Sequence, residues 1–223
     1  MGRCAFILVI CSALRPAAGG EVDIGSPQHL QLVNVKAQSA MFKGRRAIRI
    51  VDAAPPQTTD AGRLAIIKGH EFRNGTIEIE MAGEPVEGAS AEARGFVGIA
   101  FRVAPDGRKF ECVYLRPTNG RADDQERRNH SVQYISAPDW SWSRLRKEFP
   151  GKYETYVDLQ PAVWTRVKLD VRGDKLRLYV HGGEQPTLVV NNLKLGESAG
   201  ALALWVGTGT RAYFTGLRVN LEP

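Results

Sequence analysis

Apolar and polar residues alternate with a period of two along much of the chain, which is typical of β-strands. In residues 76–82, Ile77, Ile79 and Met81 fall on one face, and threonine, glutamate and alanine fall on the other. An Asn-Gly pair, which is a strong turn signal, immediately precedes this segment. The segment is therefore predicted to form a half-buried strand that follows a tight turn.

Strand-like segments separated by turn signals recur along most of the chain. They are predicted at residues 28–35, 47–51, 64–67, 76–82, 95–103, 109–116, 164–171, 176–180, 187–190, 201–206 and 212–221. Helical periodicity is nearly absent, and the best candidate is a turn or two around residues 123–128. This pattern favours an all-β, antiparallel, two-sheet sandwich of the jelly-roll kind. Since no linker or internal repeat divides the chain, a single domain is predicted.

The first twenty residues have the layout of a secretory signal peptide. A basic start at Arg3 precedes an almost wholly apolar run over residues 5–14, and small residues follow. The run is shorter than the roughly 20 residues that a membrane-spanning helix needs. A signal peptide is therefore predicted at residues 1–20 and the sandwich at 21–223, in a secreted or periplasmic protein. A buried N-terminal element and a lipoprotein acylated at Cys11 are the alternatives.

Charge and cysteine content limit the classes of partner. The formal net charge of +6 falls to +4 once Arg3 and Arg15 leave with the leader. The basic residues are scattered without a stripe or recognition helix, so nucleic acid is not expected as a partner. No second apolar stretch approaches the length of a membrane span.

Cys112 remains without a disulfide partner, and its apolar strand favours a buried structural role. The oligomeric state stays open.

The segment from Phe110 to Asp158 differs from the rest of the chain in its aromatic content. It holds four of the six tyrosines and two of the four tryptophans, among arginines, asparagines and carboxylates. A loop of this length with little strand of its own is typical of a functional segment, and its aromatic content argues against disorder. We therefore predict that this segment forms the binding face and that the surrounding strands are its scaffold.

Several stretches resemble a known group of β-sandwiches. They are FRNGTIEIEMAG, GFVGIAFRV, KFECVYLRP, WTRVKLDVRGDKLRLYVHG and ALALWVGTGTRAYFTGLRV. Over residues 65–221 the chain resembles the concanavalin A-like sandwiches and, within them, the 3-keto-disaccharide hydrolase family. The resemblance implies a concave sheet onto which Arg102 and Glu111 look out. Relative to that family, residues 122–151 form an insertion.

The residue types of the aromatic segment suit a saccharide. Sugars present apolar ring faces edged by hydroxyl groups, which aromatic side chains and planar donors complement. Arginine adds bidentate capture of a uronate, sulfate or keto oxygen. The predicted substrate-binding residues are Arg102, Tyr114, Arg116, Asn119, Arg121, Gln133, Tyr134, Trp140 and Trp142. The predicted catalytic residues are Glu111, Asp124 and His130. Alternatively, these residues only tie a long loop down through ion pairs and packing.

These features predict a saccharide ligand and favour an enzyme. The favoured activity is hydrolysis or other cleavage of a (keto-)disaccharide or oligosaccharide at the concave face. The alternative is a non-catalytic, lectin-like or laminin-type carbohydrate-binding module. A third possibility is an adhesion scaffold that grips another protein through Trp140-Ser141-Trp142.

Two further sets of residues suggest other chemistry. Glu78, Glu80 and Glu84 lie on or beside one strand, and paired carboxylates support glycoside hydrolysis. A solvated outer face explains the same alternation equally well. His130 with nearby tyrosines could instead perform β-elimination on an acidic sugar.

No cofactor or catalytic metal is expected from the sequence, because no two histidines have metal-ligand spacing. A structural calcium ion could use oxygen ligands from loops, although no loop motif supports one. The candidate ligands are Asp23, Asp52, Asp60 and Asp106.

Overall fold

A computed structural model describes residues 20–54 and 62–222 of the chain. Apart from Gly20, the predicted signal peptide lies outside the described residues, as does Asp60. Among the residues that are described, no helix is long and apolar enough to cross a bilayer.

The first sheet has β6 and β15 at its centre. Its strands are β1 (Gly20–Glu21), β3 (Val35–Phe42), β4 (Arg45–Asp52), β6 (Asn74–Pro85), β11 (Thr165–Arg172), β12 (Lys175–Val180), β13 (Leu188–Val190) and β15 (Thr210–Glu222). The order is β13-β12-β11-β6-β15-β4-β3, with β1 paired to β15. Neighbouring strands are antiparallel.

The second sheet carries the aromatic segment on one edge. Its strands are β2 (Leu30–Val33), β5 (Leu64–Phe72), β7 (Val97–Val103), β8 (Phe110–Leu115), β9 (Val132–Ala137), β10 (Glu154–Thr155) and β14 (Gly200–Val206). The order is β10-β9-β8-β7-β14-β5-β2, and these pairs are also antiparallel.

The apolar faces of both sheets form the core, as the period of two predicts. Ile77, Ile79 and Met81 of β6 are buried, and the alternate residues are less so. Strands β7, β8 and β9 are buried along their whole length, because other parts of the chain cover both of their faces. The structure is therefore the predicted all-β, two-sheet antiparallel sandwich.

Gly98 lies where aromatic side chains of the two neighbouring strands pack against β7. Gly98 on β7 lies opposite Tyr114 on β8 and Trp205 on β14. A Cβ atom at Gly98 would lie 2.5 Å from the Cβ of Tyr114 and 2.5 Å from the carbonyl oxygen of Val113. Glycine therefore lets the aromatic rings of the neighbouring strands lie directly over β7.

The prediction that residues 110–158 form a long loop with little strand is wrong in part. This segment adds β9 and β10 to the edge of the second sheet and contains α1 (Gln125–Asn129) and α2 (Trp142–Glu148). Helix α1 confirms the predicted helical turn. Strand β9 shows no alternation because all of its residues are buried. Helix α2 has a single buried residue and therefore no apolar periodicity.

Candidate functional site

A pocket of about 490 Å³ lies beside the helices of the aromatic segment. Its lining comes from α1, α2, the turn after β8, the β6–β7 connection and the β14–β15 turn. It brings together five of the predicted site residues: Arg116, Asn119, Asp124, His130 and Trp142. We call this cavity the Trp142 pocket.

Local sequence fixes the two helices that line the pocket. The carboxylate of Asp124 accepts a hydrogen bond from the backbone N–H of Arg127 (2.7 Å) and so caps α1. The hydroxyl of Ser141 accepts one from the N–H of Arg144 (3.3 Å) and caps α2. The fully buried Leu145 anchors α2 to the sandwich. Asp124, a predicted catalytic residue, therefore has a structural role as the N-cap of α1.

Arg116 forms a buried part of the pocket wall and is 5% exposed. Its guanidinium donates to the hydroxyl of Tyr114 (2.9 Å) and to the carbonyl oxygen of His130 (2.8 Å). It also donates to Oε1 of Gln133 (3.4 Å) and lies 5.9 Å from the ring centroid of Trp142. Tyr114 and Gln133 are buried, so they support Arg116 from behind and do not line the pocket.

His130 lies where the Trp142 pocket meets a second cavity of about 480 Å³. Its Nδ1 is 2.8 Å from Oε2 of Glu154, but the two groups are not aligned for a hydrogen bond. Its Nε2 is 3.9 Å from Oε1 of Glu126. Burial lowers the pKa of His130; Glu154 opposes this shift, and the positive charges of Arg146 and Arg116 add to it. The imidazole is therefore neutral at pH 7.

Three arginines of the pocket are absent from the predicted set: Arg94, Arg127 and Arg146. Arg94 lies in the β6–β7 connection, where nothing in the sequence distinguishes it from other loop arginines. Arg127 lies three residues before His130 on a helical turn, and this spacing could have placed both on one face. Arg146 donates to Oε2 of Glu154 (2.8 Å), and its guanidinium lies 4.9 Å from the ring centroid of Trp142.

Arg102 does not look out onto an open face, contrary to the expectation from the family resemblance. It is 2% exposed, and its guanidinium donates to the backbone oxygens of Arg73, Gly173 and Gly196 at 2.5–3.1 Å. The positive φ of 54° at Arg102 interrupts the strand geometry at this residue. Its hydrogen bonds therefore join loops of the sandwich.

Glu111 is also buried, with no exposed surface. Its carboxylate accepts hydrogen bonds from the hydroxyl of Tyr134 (2.5 Å) and from the backbone N–H of Leu195 (2.7 Å). Burial raises the pKa of Glu111, and these hydrogen bonds oppose the shift. Tyr134 is fully buried as well. Neither Glu111 nor Tyr134 lines the Trp142 pocket.

Arg121 and Trp140 lie in the aromatic segment but outside the pocket lining. Arg121 forms an exposed two-point ion pair with Asp158, at 2.7 and 2.8 Å. The Trp140 ring lies 3.9 Å from the guanidinium carbon of Arg144 and 4.3 Å from Nζ of Lys194. These contacts fit the alternative in which part of the segment is tied down by ion pairs and packing.

The three glutamates of β6 pair with arginines of β4, β11 and β15 in the same sheet. The ion pairs are Arg166–Glu78 (2.9 Å), Arg45–Glu80 (2.5 Å) and Arg211–Glu84 (2.9 Å). The hydrogen bond from Arg45 lowers the pKa of Glu80, so this carboxyl group is ionised at neutral pH. This arrangement agrees with a partly solvated outer face.

The carboxylates considered for calcium do not form a cluster in the part of the chain that the structure describes. No group of three or more His, Cys, Asp or Glu residues there is placed to hold a metal ion. Asp52 instead accepts a hydrogen bond from Nε of Arg63 (2.8 Å). Asp23 and Asp106 each accept one from a backbone N–H two residues further on.

Solved structures share the fold at low sequence identity. The carbohydrate-binding module CBM66 from Bacillus subtilis has a TM-score of 0.59 and 12% identity, over 86% of this chain and 95% of that one. A Bacillus subtilis protein of unknown function with a galectin-like fold has a TM-score of 0.58 and 11% identity, over 92% and 97%. A putative glycosyl hydrolase from Parabacteroides distasonis has a TM-score of 0.51 and 12% identity, over 87% and 89%.

The sequence itself matches no protein-family model and no curated protein. The resemblance to the 3-keto-disaccharide hydrolase family therefore stays a prediction. At 11–12% identity, the structural similarities establish the fold alone. The chain has the fold of the galectin-like and concanavalin A-like β-sandwiches.

Proposed function

We propose that the protein binds a saccharide in the Trp142 pocket. The observation that carries this proposal is the indole of Trp142, which is 37% exposed in a wall that also contains arginine side chains. An apolar surface beside planar donors complements a sugar ring and its hydroxyl groups. The volume of about 490 Å³ falls within the range of small-ligand pockets, about 300–1,000 Å³. The predicted signal peptide would bring the protein to extracellular or periplasmic glycans.

The fold adds support to this proposal. Among the proteins of similar structure are a carbohydrate-binding module and a putative glycosyl hydrolase. Sandwiches of this kind host both binding and catalysis, so the choice between them depends on the residues of the pocket.

The carboxylates of the described pocket lining favour binding without hydrolysis. Hydrolysis by the common route needs two carboxyl groups placed on either side of the scissile bond. Of the three carboxylates that line the pocket, Asp124 caps α1, the side chain of Glu126 is 86% exposed, and Glu92 is exposed in the β6–β7 connection. Glu111 is sealed in the core away from the pocket. The pocket is therefore better suited to hold a sugar than to hydrolyse one.

The test is calorimetric titration with neutral, 3-keto- and uronate-containing disaccharides. Trp142→Ala is expected to weaken the affinity for the disaccharide that binds by about tenfold, because an aromatic contact is lost. Tyr179→Ala is the control, since Tyr179 is a partly exposed aromatic residue of β12 outside the pocket. Equal affinities of the wild-type protein and Trp142→Ala, or no binding by the wild-type protein, would overturn the proposal.

A second candidate function is cleavage of the bound saccharide. It is favoured by the neutral His130 whose Nδ1 lies 2.8 Å from Glu154, because a histidine beside a carboxylate can act as a general base. Mass spectrometry after incubation with the same disaccharides separates cleavage from binding. His130→Gln should abolish product formation and preserve binding. If the wild-type protein binds and forms no product, cleavage is rejected.

A further inference from the structure

One wall of the Trp142 pocket carries arginines that form no salt bridge with a described carboxylate. Arg94 uses Nη1 to donate to two carbonyl oxygens of its own loop, and its Nε and Nη2 form no hydrogen bond with a described residue. Arg127 donates from Nε to Oδ1 of Asn119 (3.0 Å) and from Nη2 to Oγ1 of Thr118 (3.3 Å). Its Nη1 has no acceptor among the described residues. Both arginines thus keep N–H groups for a ligand.

Arg116 adds a third positive charge behind this wall. All of its hydrogen bonds go to neutral oxygens, so its charge is not compensated by a described carboxylate. Burial lowers the pKa of Arg94, and the charges of Arg127 and Arg116 lower it further, although Glu92 opposes them. The guanidinium group of Arg94 therefore lies close enough to those of Arg127 and Arg116 to be repelled by both.

The three acidic residues of the lining, Glu92, Asp124 and Glu126, form no salt bridge with these arginines. Asp124 accepts the N-cap hydrogen bond of α1, and the exposed side chain of Glu126 lies 3.9 Å from Nε2 of the neutral His130. Glu92 is exposed and acts on Arg94 without forming a salt bridge with a described residue. On the other side of the pocket, Glu154 compensates Arg146. The guanidinium N–H groups that are open to a ligand are thus those of Arg94 and Arg127, whereas the apolar surface belongs to Trp142.

We propose that the saccharide bound in the Trp142 pocket carries an anionic group, a carboxylate or a sulfate, that pairs with Arg94 and Arg127. This inference rests on the proposed function and makes it more specific. Guanidinium groups bind planar or multidentate oxyanions through parallel, charge-assisted N–H bonds. The anionic group lies at the arginine wall, and the sugar ring lies towards Trp142.

The experiment compares one oligosaccharide with and without its charge. An oligogalacturonide is titrated into the full-length protein beside the same oligosaccharide with its carboxyl groups reduced to alcohols. A sulfated, heparin-derived disaccharide and its desulfated form distinguish sulfate from carboxylate. The charged form of one pair is expected to bind at least about tenfold more tightly than its neutral form, and added salt should weaken that binding selectively.

Arginine variants locate the anionic group. Arg127→Gln and Arg94→Gln should each reduce the affinity for the charged oligosaccharide about tenfold and leave the affinity for its neutral form unchanged. Arg177→Gln is the control, because it removes the same charge from the exposed face of β12. Arg127 also bonds Asn119 and Thr118; if Arg127→Gln fails to fold, Arg94→Gln decides the outcome.

The possible results separate the inference from the function on which it rests. If charged and neutral forms bind equally and Trp142→Ala weakens both, the saccharide site stands and the anionic preference is wrong. If no oligosaccharide binds, the proposed function itself fails. If Arg177→Gln weakens binding as much as Arg94→Gln, the overall charge of the protein explains the effect, and the assignment to this wall is overturned.

Discussion

Replacing Arg102 by alanine tests whether its buried guanidinium holds the sandwich together. The side chain donates to the backbone oxygens of Arg73, Gly173 and Gly196 and to Oδ1 of Asn74, at 2.5–3.3 Å. These acceptors lie at the β5–β6 turn, the β11–β12 turn and the β13–β14 connection. One side chain of β7 therefore ties together connections from both sheets.

The expected loss follows from the acceptors that Arg102→Ala leaves behind. A buried polar group without a partner costs about 1–3 kcal/mol, and three carbonyl oxygens lose their donor here. Water that enters the vacated space offsets part of this cost. We therefore expect the free energy of unfolding to fall by about 3–5 kcal/mol. The stability of a whole domain is only about 5–15 kcal/mol.

The positive φ of Arg102 allows the stability of Arg102→Gly to be compared with that of Arg102→Ala. Its φ of 54° lies in the left-handed region, which costs a residue with a Cβ atom about 1 kcal/mol. Arg102→Gly also removes the guanidinium but adopts this φ without strain. It should therefore be about 1 kcal/mol more stable than Arg102→Ala.

The assay is urea unfolding followed by tryptophan fluorescence. With an m-value of about 2 kcal/mol per molar urea, the midpoint of Arg102→Ala should fall by roughly 2 M. Arg211→Ala is the control, because it removes a partly exposed ion pair and should cost less than about 1 kcal/mol. If the two variants shift the midpoint equally, Arg102 does not have this structural role.

Three other predictions concern the sheet, the pocket helix and pH. Gly98→Ala should lower the free energy of unfolding by about 1–3 kcal/mol in urea titrations, because its Cβ meets Tyr114 and a backbone oxygen; unchanged stability would contradict this. Leu145→Ala should cost about 2–5 kcal/mol and increase proteolysis within α2, whereas loss of less than about 1 kcal/mol would show that α2 is anchored elsewhere. Because the folded pKa of His130 is lowered, the unfolded chain takes up the proton first, and stability should fall as the pH drops below about 6.5. In thermal unfolding, the stability of His130→Gln should fall less between pH 7 and 5 than that of the wild-type protein. An equal fall in both proteins would show that His130 does not cause this pH dependence.

The strands of the first sheet were predictable because each has a solvated face and a buried face. In β6 this difference produces the alternation of isoleucine and methionine with threonine and glutamate. The turns between strands were predictable as well, since glycine and asparagine accept the positive φ that tight turns need. In β9 both faces are buried, so the alternation disappears and the strand was missed.

The candidate site was predictable only in part. The aromatic segment was recognised by its composition, and five of its predicted residues line one pocket. Arg102 and Glu111 were placed on an open face, although both are buried beneath loops that lie far from them in the sequence. Arg94 was missed because its neighbours in the chain give no sign that it faces Arg127.

The sequence by itself therefore determined the all-β class, most strand positions and the segment that carries the pocket. These properties follow from local turn geometry and from the period of two, which a few adjacent residues encode. Only the tertiary structure decided which polar side chains are sealed in the core and which remain open to a ligand. That division depends on pairing between distant strands and on loops such as those of Gly173 and Gly196, which supply acceptors to Arg102.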